Sequence, residues 1–118
     1  MLSPFAPPAP PFSIAVVPDR QRVVLHPVGE LDLLTIPALR REVVRLHEVG
    51  FTDVLVDLAG LGFIDSEGVK LLLALRREAV GTGRRVTVAP GPAQVQRVFA
   101  LTMTLDLLEW ETAAGDTR

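Results

Sequence analysis

Three consecutive apolar residues, Val54-Leu55-Val56, bounded by Asp53 and Asp57, constrain this chain more than any other feature. A strand with one wet face alternates apolar and polar residues. An unbroken apolar run of strand length belongs where both faces are covered, as in a parallel sheet. Parallel neighbours need crossover connections, usually helices, and the rest of the chain supplies them. Ile36, Leu39, Val43 and Leu46 step by three and four residues, which predicts an amphipathic helix over 36–49. Thr35 is placed to cap it, Pro37 falls in the permissive first turn and Gly50 is placed to end it. A second helix is predicted over 66–80, stopped by Gly81-Thr82-Gly83. Pro92 opens a third, which carries Val95, Val98 and Phe99.

The remaining apolar runs read as strands. Phe12 to Val17 ends at Pro18 and Asp19, a turn follows at Asp19-Arg20-Gln21, and Arg22 to Val28 resumes. These two are expected to pair as an antiparallel hairpin, with Pro27 near the strand end, where a missing amide donor is tolerable. Gly29-Glu30-Leu31-Asp32 and the stretch Ala59-Gly60-Leu61-Gly62 read as loops, Arg85 to Ala89 as a strand and Leu107 to Trp110 as the last strand. The order is β-β-α-β-α-β-α-β, an α/β domain with a mainly parallel mixed sheet. Residues 12–111 form this single domain. Residues 1–11, with five prolines, read as a flexible N-terminal tail without the basic and apolar regions of a secretory signal, and 112–118 as a flexible C-terminal tail.

Composition closes off several function classes. The formal net charge is -2. Arginines come in pairs (Arg40-Arg41, Arg76-Arg77, Arg84-Arg85), but no basic excess favours a direct nucleic-acid role. No apolar run reaches the roughly 18 residues of a membrane span. Cysteine is absent, which excludes disulfides, thiolate nucleophiles and Cys-ligated zinc and suits a cytoplasmic setting. The two histidines, His26 in a strand and His47 at a helix end, make no i, i+4 ligand pair, so no metal site is expected. His47 has an ordinary explanation, since cations are favoured at helix C-termini. No phosphate-binding glycine loop precedes a helix and no G-x-S-x-G elbow surrounds Ser66. A hydrolase using Ser66 would lack both base and oxyanion donors. The chain is therefore read as a binding module without catalytic residues or cofactor.

The informative stretch runs from Val56 to Val69, where a buried strand meets a helix start through a glycine-bearing loop. In open parallel sheets such loops lie at the carboxyl ends of strands, where ligands and partners bind. Taken alone, Asp65 or Ser66 is a helix cap. Gly68 costs about 1 kcal/mol relative to alanine inside a helix, which points to close backbone approach there.

Asp57-Leu58-x-x-Leu61-x-Phe63-Ile64-Asp65-Ser66-x-Gly68, followed by an apolar helix, resembles the signature of STAS-domain anti-sigma factor antagonists. Gly29-Glu30-Leu31-Asp32 resembles that family's upstream motif, and the element order fits from Phe12 to about Trp110. The resemblance implies a STAS-like domain in which Ser66 is phosphorylated by an anti-sigma factor with serine-kinase activity. The unphosphorylated form binds that factor and releases the sigma factor, phosphorylation abolishes binding, and a phosphatase, of PP2C type, reverses it. It also implies that Asp32 lies near the switch serine and helps form the partner surface. Asp65, Glu67, Gly68, Lys70 and Leu71 complete the expected partner-binding set. On the second helix, Val69, Leu72, Leu73, the Arg76 stem and Val80 are expected inward, Lys70, Ala74 and Arg77 outward, and Leu71 and Leu75 at the borders. Two departures from the family pattern stand out. Glu67 replaces a second serine, putting a standing negative charge beside Ser66, and Thr102-Met103-Thr104 replaces a glycine-containing turn. The alternative implied by the same resemblance is a STAS interaction subunit of a stressosome or an ABC transporter complex that works without phosphorylation.

Overall fold

A computed structural model of the protein describes residues 11–111; both expected tails, apart from Pro11, lie outside the described residues. In chain order the elements are β1 (Ser13–Asp19), β2 (Arg22–Leu31), α1 (Ile36–Glu48), β3 (Asp53–Asp57), β4 (Leu61–Ile64), α2 (Ser66–Gly81), β5 (Arg85–Ala89) and α3 (Ala93–Leu101). The sheet runs β1-β2-β3-β5, with β4 also pairing β2. Among the described residues, only the β1–β2 hairpin is antiparallel and every other strand pair is parallel. The α/β architecture and mixed sheet agree with the expectation from sequence.

The apolar run at β3 does what its composition requires. Val54, Leu55 and Val56 are all buried. Val54 and Val56 join the main core with Val23, Leu25, Val86 and Val88, while Leu55 belongs to a second cluster with Val24 and Ala89. Strand side chains alternate in direction, so the register Val24↔Leu55 and Asp57↔Ala89 puts this second cluster on the opposite face of the sheet. Phe99, fully buried, anchors α3 into the main core and meets the Trp110 ring edge-on, centroids 5.0 Å apart.

Several local expectations are corrected. β2 does not stop at Val28 but continues through Gly29 to Leu31, so the upstream motif is strand up to Asp32 rather than loop. Pro27 consequently lies inside β2. It is tolerated because β2 changes partner around it: pairing with β3 ends at Leu25↔Val56, and pairing with β4 begins at Gly29↔Leu61. Leu61 and Gly62, expected in the glycine loop, instead open β4 (Leu61–Ile64), reached through a one-turn 3₁₀ segment at Leu58–Gly60. The Asp57 carboxylate caps that turn by accepting the Ala59 amide at 3.0 Å. The expected last strand is reduced to a single bridge, Val88↔Trp110, after a 3₁₀ turn at Leu105–Leu107.

Thr35 does not cap α1 with its side chain. Asp32 Oδ1 accepts the Leu34 and Thr35 amides at 3.0 and 3.2 Å, while Thr35 Oγ1 accepts the Asp32 amide and donates to the Glu30 carbonyl at 2.6 Å. His47 is not a solvated cation at a helix end. It is buried, its Nε2 lies 3.4 Å from the Arg85 carbonyl, and burial pushes its pKa down. On α2, Leu71, Leu72 and Leu75 are all buried, whereas Val80, expected inward, is 63% exposed.

Candidate functional site

The site is assembled where β2 and β4 end side by side. The register Leu31↔Ile64 brings the next residues, Asp32 and Asp65, out of the sheet at the same edge, and the Asp65 amide donates back to the Leu31 carbonyl at 3.3 Å. Asp65 is extended, and its Oδ1 accepts the Gly68 amide at 2.9 Å, a side-chain cap on α2. That division of labour matters. Asp65 serves as the cap, so Ser66 is the first helical residue and its side chain is exposed.

Gly68 is buried at the closest approach of α2 to the sheet. A Cβ there would sit 2.7 Å from Ile64 Cγ1, 2.7 Å from the Leu31 carbonyl oxygen and 3.1 Å from Leu31 Cγ. Glycine thus lets the first turn of α2 press on the end of β2, which fixes Ser66 relative to Asp32. The close approach read from sequence is present. Gly68 contributes by packing and offers no side chain to a partner.

Glu67, half-buried, forms an ion pair with exposed Lys70 at 2.9 Å. The standing charge beside Ser66 is therefore balanced within the same helix turn. Asp32 is half-buried and committed to the turn that opens α1. Leu71 must be withdrawn from the partner surface, because at 4% exposure it packs in the core. Of the expected set, the structure brings Asp32, Asp65, Ser66, Glu67 and Lys70 to this end of the molecule, with Gly68 beneath them.

Sequence reasoning missed Leu33 and Leu34. They are 68% and 88% exposed, in a turn braced by Asp32 and Thr35. Two adjacent leucines outside any helical or alternating pattern, directly after Asp32, were the signal available. Phe63 joins them: it pairs with Glu30 across β2–β4 and is half-exposed. Free side chains this apolar lose about 25 cal/mol for each Å² they bury, so a partner surface gains by covering them.

A family model described as Mlab, STAS domain, matches residues 14–109. The chain belongs to the STAS domain family. Among its STAS relatives, the anti-sigma F factor antagonist of Lysinibacillus sphaericus is 33% identical over 90 residues, covering 75% of each chain. The solved structure of the anti-sigma factor antagonist SpoIIAA in its unphosphorylated form superposes with a TM-score of 0.67 at 26% identity, covering 86% of this chain and 89% of that one. The Bacillus cell fate determinant SpoIIAA in its phosphorylated form superposes at 0.61 with 25% identity, covering 86% and 92%. The STAS fold thus accounts for the mixed sheet and for the position of the Ser66 loop at its carboxyl end. Among the described residues, no cluster of three or more His, Asp or Glu could hold a metal, and no helix is long and apolar enough to cross a membrane.

Proposed function

We propose that this STAS domain is an anti-sigma factor antagonist whose binding is gated at Ser66. The unphosphorylated form binds an anti-sigma factor with serine-kinase activity and releases its sigma factor; a phosphoryl group on Ser66 ends binding, and a PP2C-type phosphatase restores it. The observation that carries the reading is the separation of cap from hydroxyl: Asp65 satisfies the helix, and Ser66 stands exposed at its first turn. Phosphorylation then costs the fold no capping bond.

The physics supports a switch that acts on the surface. A phosphoserine adds about -1.5 to -2 charge at neutral pH. At a helix N-terminus the free amides and the dipole favour an anion, so the domain tolerates it. A partner meeting Asp32, Asp65 and Glu67 does not, if it brings any carboxylate of its own to that edge. A loss of about 3 kcal/mol weakens an interface more than a hundredfold. In this reading Asp32, Asp65, Glu67 and Lys70 form the polar part of the contact, and Leu33, Leu34 and Phe63 its apolar part.

The test is the intact mass of protein recovered from its host, with the modified residue mapped, alongside binding of Ser66→Asp to the anti-sigma partner. A phosphoryl group on Ser66 and a binding loss of a hundredfold or so are expected. Protein that is never modified at Ser66, yet co-purifies with an ABC-type ATPase or a stressosome, would replace this reading with that of a constitutive interaction subunit.

A further inference from the structure

The outer side of α2, at the end away from Ser66, carries a groove of about 370 Å³ lined by Leu73, Arg76, Arg77, Val80 and Leu107. Leu73, Arg76, Arg77 and Val80 are spaced by three and four residues, one stripe of the helix. Val80 is 63% and Leu107 52% exposed, and the segment that brings Leu107 here also exposes Leu101 and Met103. Along the helix, Val80 lies about 20 Å from Ser66, so this surface is separate from the switch.

Among the described residues no carboxylate lies within ion-pair distance of Arg76 or Arg77, as is also true of Arg20, Arg41, Arg84 and Arg97, whereas Arg22, Arg40, Arg45 and Arg85 are paired. Arg76 Nη1 donates to the Leu107 carbonyl at 2.9 Å and its Nε is enclosed without an acceptor, so the guanidinium is held in place but not neutralised. Glu109 is near enough to Arg76 to be stabilised by its charge, but its oxygens bind Arg85. The held Arg76 guanidinium and the exposed Arg77, beside exposed Val80 and Leu107, repel a basic partner and reward an acidic one with charge-assisted hydrogen bonds, roughly twice as strong as neutral ones.

We infer that the Leu73–Val80 face of α2 with Leu107 is a second protein-docking site, which takes a short segment of a partner bearing apolar side chains flanked by Asp or Glu.

Peptide display on the intact chain, followed by fluorescence anisotropy of the best peptide, tests this. Enriched peptides are expected to combine apolar residues with Asp or Glu. Arg77→Glu and Val80→Lys are each expected to weaken binding by roughly tenfold or more, with unchanged thermal melts, since both side chains are exposed. Ser66→Asp should leave it unaltered. Failure to enrich any peptide, enrichment of peptides without acidic residues, or binding indifferent to Arg77→Glu and Val80→Lys overturns the assignment. So does a concentration-dependent dimer in sedimentation that Val80→Lys abolishes, because the occupant is then a second copy of this chain.

Discussion

Replacing Gly68 with alanine sets two effects of opposite sign against each other. In a solvated helix interior the change stabilises by about 1 kcal/mol, because glycine loses more backbone entropy on folding. At Gly68 the new methyl would lie 2.7 Å from both Ile64 Cγ1 and the Leu31 carbonyl oxygen, well inside van der Waals contact. The Ile64 side chain could rotate. The Leu31 carbonyl cannot easily move, because it is backbone of a paired strand and accepts the Asp65 amide. Overpacking of this kind costs about 1–3 kcal/mol, which cancels or outweighs the gain, so Gly68→Ala should be destabilised by up to about 2 kcal/mol net. A chain of 118 residues then loses about 4 °C of melting temperature per kcal/mol. Gly81, the last residue of the same helix, is the internal control. A Cβ there meets nothing within 4 Å, so Gly81→Ala should be neutral or stabilising by up to about 1 kcal/mol. Urea unfolding of the two variants, read as a change in midpoint at constant slope, decides the matter. If Gly68→Ala gains the full stabilisation of about 1 kcal/mol expected of a solvated helix position, the close approach of α2 to β2 is not what that glycine serves.

Other consequences are open to direct measurement. Burial lowers the His47 pKa below its unfolded value, with Arg84's charge acting in the same direction against the Arg85 and Thr52 carbonyls and Asp53. As pH falls through the unfolded value of about 6.5 the unfolded chain takes up the proton first, so stability is lost below that pH. His47→Gln should show a smaller drop in urea midpoint between pH 7.5 and pH 5 than the wild type, and an equal drop would contradict the burial argument. Leu34→Ser, at a site 88% exposed, should leave the melting temperature within the effect of about 0.5 kcal/mol usual for surface changes. The same variant should weaken capture of the anti-sigma partner by about tenfold, measured by surface plasmon resonance. Met103 holds φ 59 without being glycine. Relief of a left-handed strain of about 1–2 kcal/mol, less glycine's entropic cost, should make Met103→Gly more stable by several tenths of a kcal/mol or more in the same urea assay.

The elements that sequence reveals are those whose burial imposes a period. The α1 stripe from Ile36 to Leu46 and the apolar block of β3 are of this kind, and both are found where expected. β4 escapes because its four residues run buried, exposed, exposed, buried, with Gly62 in the middle, and no strand period survives that pattern. The inward face of α2 was set too narrowly, since contacts with the sheet and with both other helices bury Leu71 and Leu75 together with Leu72, while the final turn outlasts its neighbours and leaves Val80 wet. At the site, Asp65, Ser66 and Gly68 could be read because a cap, a hydroxyl and a glycine in that order have few other uses. Leu33 and Leu34 could not, since composition alone does not distinguish a leucine held out by an Asp32–Thr35 turn from one folded in.

The change of partner along β2 has a dynamic consequence. From Arg22 to Leu25 the strand is held on both sides, by the β1 hairpin and by β3, and β3 is in turn held by β5. Beyond Val28, where the β1 pairing ends, the same strand relies on four-residue β4, itself tied to no other strand among the described residues. The sheet therefore forks, and its two prongs need not open together. The prong that carries Asp32 and Ser66 can breathe, in the sense of local amide exchange, at a lower free energy than the trunk. A phosphoryl group or a bound partner at this end would then register first as altered protection of Leu61 to Ile64, with Val54 to Val56 left almost untouched.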